Sequence, residues 1–210
     1  MVVALAQLGD DEALTQAATD PSPAVRTEAL RGLVAAGAFP VVQSSLAVEP
    51  VVAVRVAICE ALAAGDGGGV LAVAIDDAHP TVRKAALLGC LGAGTFDAFV
   101  DGLDRLDPVE AQVVRGEVAR RGLGGALRDG MAGPAPVRAA ALRAMAAVDP
   151  ATFEDALLRG VDDEEAAVRQ AAVDGLARCT SVAARNAVLR AARDEDEGVS
   201  RRARAAVAGS

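Results

Sequence analysis

A valine followed by arginine recurs along the chain, and this step limits the fold more than any other feature. Arg26, Arg55, Arg83, Arg115, Arg138 and Arg169 take its second position, and Ser200 takes it in the last copy. The intervals are 29, 28, 32, 23, 31 and 31 residues. The clearest copy is Asp162 to Cys179, where Val168, Ala172 and Leu176 fall four apart on one helical face. Gln170, Asp174 and Arg178 share another face, which reads as the wet side. The same apolar register recurs at Val25, Ala29, Leu33; at Val54, Ile58, Leu62; at Val82, Ala86, Cys90; at Val137, Ala141, Met145; and at Val199, Ala203, Val207. A period near 30 residues with two helical segments per copy predicts stacked hairpins. The fold class is therefore all-α, an α-solenoid of about seven helical hairpin repeats, read as a single domain over residues 1–210.

Composition supports this. Of 210 residues 50 are Ala, and the aromatics are four Phe with no Trp or Tyr. Alanine is the best helix former and buries little area, so thin, closely spaced helices follow. The predicted helix pairs are 11–18 with 23–36, 39–47 with 51–64, 69–75 with 80–92, 96–105 with 110–121, 124–132 with 136–147, 152–160 with 164–178, and 182–193 with 196–208. Residues 2–8 read as the tail of a further second helix. Pro23, Pro80 and Pro136 suit first helical turns. The copy around Arg115 is irregular. Asp107-Pro108 stands eight residues before Arg115, Gly122 stands where a large apolar residue is expected, and the next interval is short. A kink, a shortened first helix or altered curvature is expected over 107–135.

An acid lies six residues before most of the arginines: Asp20, Glu49, Asp77, Asp163 and Asp194. An acid in each turn can meet the Arg of its own or a neighbouring repeat, whose planar fork bridges two acceptors. Asp20, Arg26, Glu49, Arg55, Asp77, Arg83, Arg138, Asp163 and Arg169 are the members of this ladder. The acids recur in step with the arginines, which favours a ladder over a row of anion-binding arginines.

The pattern resembles the HEAT-like repeat family, in the short form of roughly 30 residues also found in bilin lyase subunits. Asp20-Pro21 through Val25-Arg26, Ala29 and Leu33 carry the likeness. It covers nearly the whole chain, although the copies at Arg115 and Ser200 lack parts of the motif. The resemblance implies the fold and is almost silent on activity.

Other residue types point to bland roles. His79, the single histidine, precedes Pro80 at a helix start and reads as a turn residue. Cys59 and Cys90 fall in or beside the apolar stripe, and Cys179 ends a helix. Three widely spaced cysteines form neither a disulfide framework nor a metal motif. The acids at 162–165 and 194–197 could attract a divalent cation, but helix capping explains them more simply. The run Gly65 to Val70 reads as a loose joint rather than a phosphate loop. Phe39, Phe96, Phe99 and Phe153 read as core plugs. No cofactor is expected.

A net charge of −8 speaks against a general nucleic-acid binder. No targeting segment or membrane span is visible, and the compartment reads as cytoplasmic. In solenoids the second helices line a concave face that binds extended partners. Thr27, Arg31, Glu60, Lys84, Arg143, Gln170 and Asp174 are the candidates on that face. Arg201, Arg202 and Arg204 read as a polar cap. The leading expectation is a non-catalytic protein-binding or scaffolding module. The alternatives are a chromophore-handling subunit like the bilin lyases and, less favoured, a HEAT-like nucleic-acid-binding protein. The apolar N-terminal half-repeat could pack on a second copy.

Overall fold

A computed structural model describes residues 11–64 and 67–209. Its described residues form helices joined by short turns, without strands. They are α1 (Asp11–Ala17), α2 (Pro23–Ala35), α3 (Phe39–Val48), α4 (Val52–Leu62), α5 (Gly68–Ala74), α6 (Pro80–Gly92) and α7 (Phe96–Arg105). They continue as α8 (Pro108–Arg120), α9 (Gly124–Asp129), α10 (Ala135–Val148), α11 (Glu154–Gly160), α12 (Ala166–Leu176), α13 (Val182–Ala191) and α14 (Glu197–Ala208). The boundaries match the sequence expectation to within about two residues at nearly every end. Over 107–135 the shortened first helix is that of the copy after Arg115: α9 has six residues and runs into a 3-10 turn, Gly130–Ala132. Residues 2–8 lie outside the described residues, as do Gly65 and Asp66.

The turns follow from local chemistry. Prolines occupy the first or second helical position of α2, α3, α6, α8 and α10, where a missing N–H costs nothing. Three second helices end on a glycine with positive φ: Gly37 at 74°, Gly94 at 70° and Gly122 at 68°. In each case the next N–H reaches back to the last turn, Ala38 to Leu33 O, Thr95 to Cys90 O and Leu123 to Val118 O, all within 3.1 Å.

These landmarks correct the register of one copy. In every other second helix the Arg, or Ser200, is the fourth helical residue. Counting from Pro108, the fourth residue of α8 is Ala111, and Arg115 stands one turn further on. The cause is Asp107, whose carboxylate accepts the Val109 and Glu110 N–H at 2.9 and 3.0 Å and starts the helix early. Gly122, twelve residues after Glu110, is the helix-ending glycine and not a gap in the apolar stripe.

The chain divides into two compact units, Met1–Ala98 and Phe99–Ser210, with α7 running across the division. In the first, α2 packs on α4 and α4 on α6, with α1 and α5 behind their own second helices. In the second, α10 packs on α12 and α12 on α14, with α11 and α13 behind. The apolar registers of α4, α6 and α12 are buried throughout. Val25 and Val137 are only half-buried, and Val207 is exposed. Phe96, Phe99 and Phe153 are buried plugs, whereas Phe39 is half-buried. Each fully buried Leu contributes about 2 kcal/mol, and the alanines between them let the helices approach closely. Gly175 shows how closely: a Cβ there would lie 2.5 Å from Leu157 Cδ2. Gly67 and Gly68 are packed against Leu62 and Thr95, so that part of the glycine run is a tight contact and not a loose joint.

Candidate binding site at an interrupted repeat

The ladder couples a repeat to the next at four joints. Arg26 donates Nε and Nη2 to Glu49 at 2.7 and 2.8 Å. Arg138 makes the same fork to Asp163 at 2.9 and 2.7 Å, and Arg169 to Asp194 at 2.9 Å for both bonds. Arg55 donates Nη2 to Asp77 at 3.1 Å, and its Nε lies 2.9 Å from the second oxygen but off the hydrogen-bond axis. The remaining Nη1 ties each Arg to its own turn. It meets the carbonyl of Asp20, Glu49, Asp77, Gly133 and Asp163 from Arg26, Arg55, Arg83, Arg138 and Arg169 respectively. Each acid also accepts an N–H two residues on, as Asp20 does from Ser22 and Asp194 from Asp196. The Arg138 fork holds the Asp163 carboxyl below the usual range, and Arg26 and Arg169 do the same for Glu49 and Asp194.

One rung is missing on both sides. Ala111 takes the Arg position of α8, and Ala132 stands six residues before Arg138, where the next acid belongs. The loss is paired, so no charge is stranded.

At this joint a cavity of about 630 Å³ opens between α8, α9 and the turn from α10 into α11. Four glycines line it, Gly116, Gly122, Gly124 and Gly125, which is why it is open. Phe153 closes one side. Gly124 permits its approach, since a Cβ there would lie 3.2 Å from the ring tip. The Arg128 guanidinium carbon lies over that ring, 4.8 Å from its centroid. Arg115 donates Nε to the Ala147 carbonyl at the end of α10, at 2.8 Å. Among the described residues neither arginine has a carboxylate partner. Asp149 also lines the cavity, but the Thr152 hydroxyl at 2.6 Å and the Ala151 N–H at 3.1 Å occupy it and hold its carboxyl low. Sequence reasoning marked this stretch as irregular but did not select Arg115 or Arg128 as site residues. The signal was the eight-residue spacing from Asp107.

The second-helix candidates are distributed over the two units. Thr27, Arg31, Glu60 and Lys84 lie on α2, α4 and α6, and Arg143, Gln170 and Asp174 on α10 and α12. Several are engaged within the chain. Thr27 donates to the Pro23 carbonyl, Arg31 pairs with Glu28, and Gln170 donates to Asp196. Asp174 pairs with Arg202, and burial pushes its carboxyl upward against that pairing.

The remaining reactive types are used structurally. His79 Nδ1 accepts the Thr81 N–H at the start of α6. Burial pushes the Cys59 thiol up to about 12 and raises Cys90 and Cys179 too, against thiolate formation. Asp196 caps α14 through the Val199 N–H. No group of three His, Cys, Asp or Glu among the described residues is arranged to hold a metal. No helix among them is long and apolar enough to cross a membrane.

Residues 125–208 match the family described as HEAT repeats. No curated protein matches the sequence. Among solved structures the chain is similar to YIBA of E. coli at 13% identity, over 98% of this chain and 73% of that one, with a TM-score of 0.42. It is similar to human deoxyhypusine hydroxylase at 18% identity, over 98% and 96%, with a TM-score of 0.41. A designed armadillo repeat protein solved with the peptide (KR)4 is similar at 17% identity, over 93% and 97%, with a TM-score of 0.34. Residues 125–208 thus match the HEAT-repeat family model, and the fourth-position arginines with their forks to the next repeat recur in both units of an α-solenoid fold.

Proposed function

We propose that the chain is a non-catalytic module that binds an extended segment of a partner protein along its second helices. One observation carries this reading. On α8, Val109 and Val113 stand one turn apart and are 75% and 52% exposed. They share the helix with Gln112, Arg115 and Gly116 of the cavity wall. Exposed valines beside a concave pocket, on a helix otherwise packed by Ala111, Val114 and Val118, are what a side-chain-accepting groove needs. Arg143 on α10 belongs to the same proposed surface, and Thr27, Glu60 and Lys84 form a separate proposed patch on the second helices of the first unit.

The test is capture from native lysate with the full chain, comparing Val109→Asp/Val113→Asp with Val182→Asp on the first helix α13. The partner should be lost by about tenfold or more in the first variant and kept in the second. Equal capture by both would remove α8 from the binding surface. Capture of nothing by the unaltered chain, at partner concentrations sufficient for micromolar binding, would remove the function.

A further inference from the structure

We propose that the cavity between α8, α9 and the α10–α11 turn is a subsite for a single carboxylate, the Asp or Glu side chain of the bound segment. The inference deepens the peptide-binding reading and rests on it for the identity of the ligand.

The chain carries an excess of acids, 29 against 21 basic residues. Arginines in the ladder are taken up by carboxylates, and Glu117 takes both Arg120 and Arg121, which hold its own carboxyl down at about 2. Arg115 and Arg128 differ. They face one cavity, and the acid that the ladder would offer at this joint is Ala132. Arg115 is anchored through Nε alone, which leaves both terminal nitrogens of its fork without an acceptor among the described residues. Arg128 is held with its guanidinium carbon over Phe153, and its donors have no hydrogen-bond partner among the described residues. Two preoriented guanidinium groups suit bidentate recognition of a carboxylate. With Asp149 in the same wall the lining carries one net positive charge, which fits a monoanion better than a polyphosphate. The neighbouring Val109 and Val113 fit an apolar residue next to the acid.

The experiment is an NMR titration of the full chain that follows the Nε–Hε signals of Arg115 and Arg128. The probes are N-acetyl-glutamate α-amide, its glutamine counterpart and inorganic phosphate, all at pH 7 and low salt. Both signals should shift saturably with the glutamate probe, at a half-saturation about tenfold below that of the glutamine probe. Arg128→Gln, an exposed position, should weaken the glutamate response of Arg115 by about tenfold while the helical circular dichroism is retained. Equal responses to glutamate and glutamine would overturn the proposal, as would no saturation with glutamate. Tighter binding of phosphate than of glutamate would also overturn it, since the site would then serve a free anion. These small probes need no partner, so a failed carboxylate site and a failed capture experiment are told apart.

Discussion

A ladder arginine works in two directions at once. In Arg138 one edge of the fork grips Asp163 of the next repeat, while Nη1 holds the Gly133 carbonyl of its own turn. Asp163 in turn fixes its loop by accepting the Glu165 N–H. Because both side chains are largely shielded, at 17% and 13% exposure, losing one partner strands the other. Asp163→Asn should cost about 2 kcal/mol at pH 7, measured by urea unfolding. The pH dependence has a definite sign. The folded-state carboxyl values of Asp163, Glu49 and Asp194 are depressed, so the unfolded chain binds more protons in acid. Their stabilisation is complete above the unfolded value of about 4 and is lost as pH falls through the folded values. Asp163→Asn should therefore lose less stability between pH 7 and acid than the unaltered chain. An equal loss would show that the fork is not a source of the acid sensitivity.

Helix α8 shows how one element departs from its siblings. Its early start at Asp107 moves Ala111 into the ladder position and Arg115 one turn along. Its end at Gly122 depends on a left-handed residue. Gly122→Ala should destabilise by about 1 kcal/mol, because a Cβ is disfavoured at positive φ. Gly116 is the opposite case. It lies inside the helix with open space around its missing Cβ, so Gly116→Ala should stabilise by about 0.5–1 kcal/mol. Thermal melts of the two variants should move in opposite directions. If both fall, Gly116 is held by something other than helix geometry.

Burial is uneven over the molecule. Helix α10 buries Ala139 to Leu142 and Ala144 to Ala147, and α12 buries Ala171 to Val173 with Leu176. Helix α1 buries Leu14 alone, and α9 buries Leu127 alone. Local opening should follow this order. Hydrogen exchange is expected to be slowest in α10 and α12 and fastest in α1 and α9. Uniform protection across these four helices would mean that the repeats open together.

The period of the Val-Arg step, the capping acids and prolines, and the alanine content determined the helices and their order, because these are local signals set by spacing along the chain. They did not determine which acid an arginine grips. The turns of Arg26 and Arg169 offered an acid of their own repeat as well as the next, and only stacking carried the carboxylate forks of Arg26, Arg138 and Arg169 across to Glu49, Asp163 and Asp194. The register of α8 was misread because the Val114-Arg115 pair copies the motif while the cap at Asp107 starts the helix earlier. The cavity was invisible for a related reason. Arg115, Arg128 and Phe153 lie on three separate elements, and they meet only where four glycines leave room and a rung of the ladder is absent.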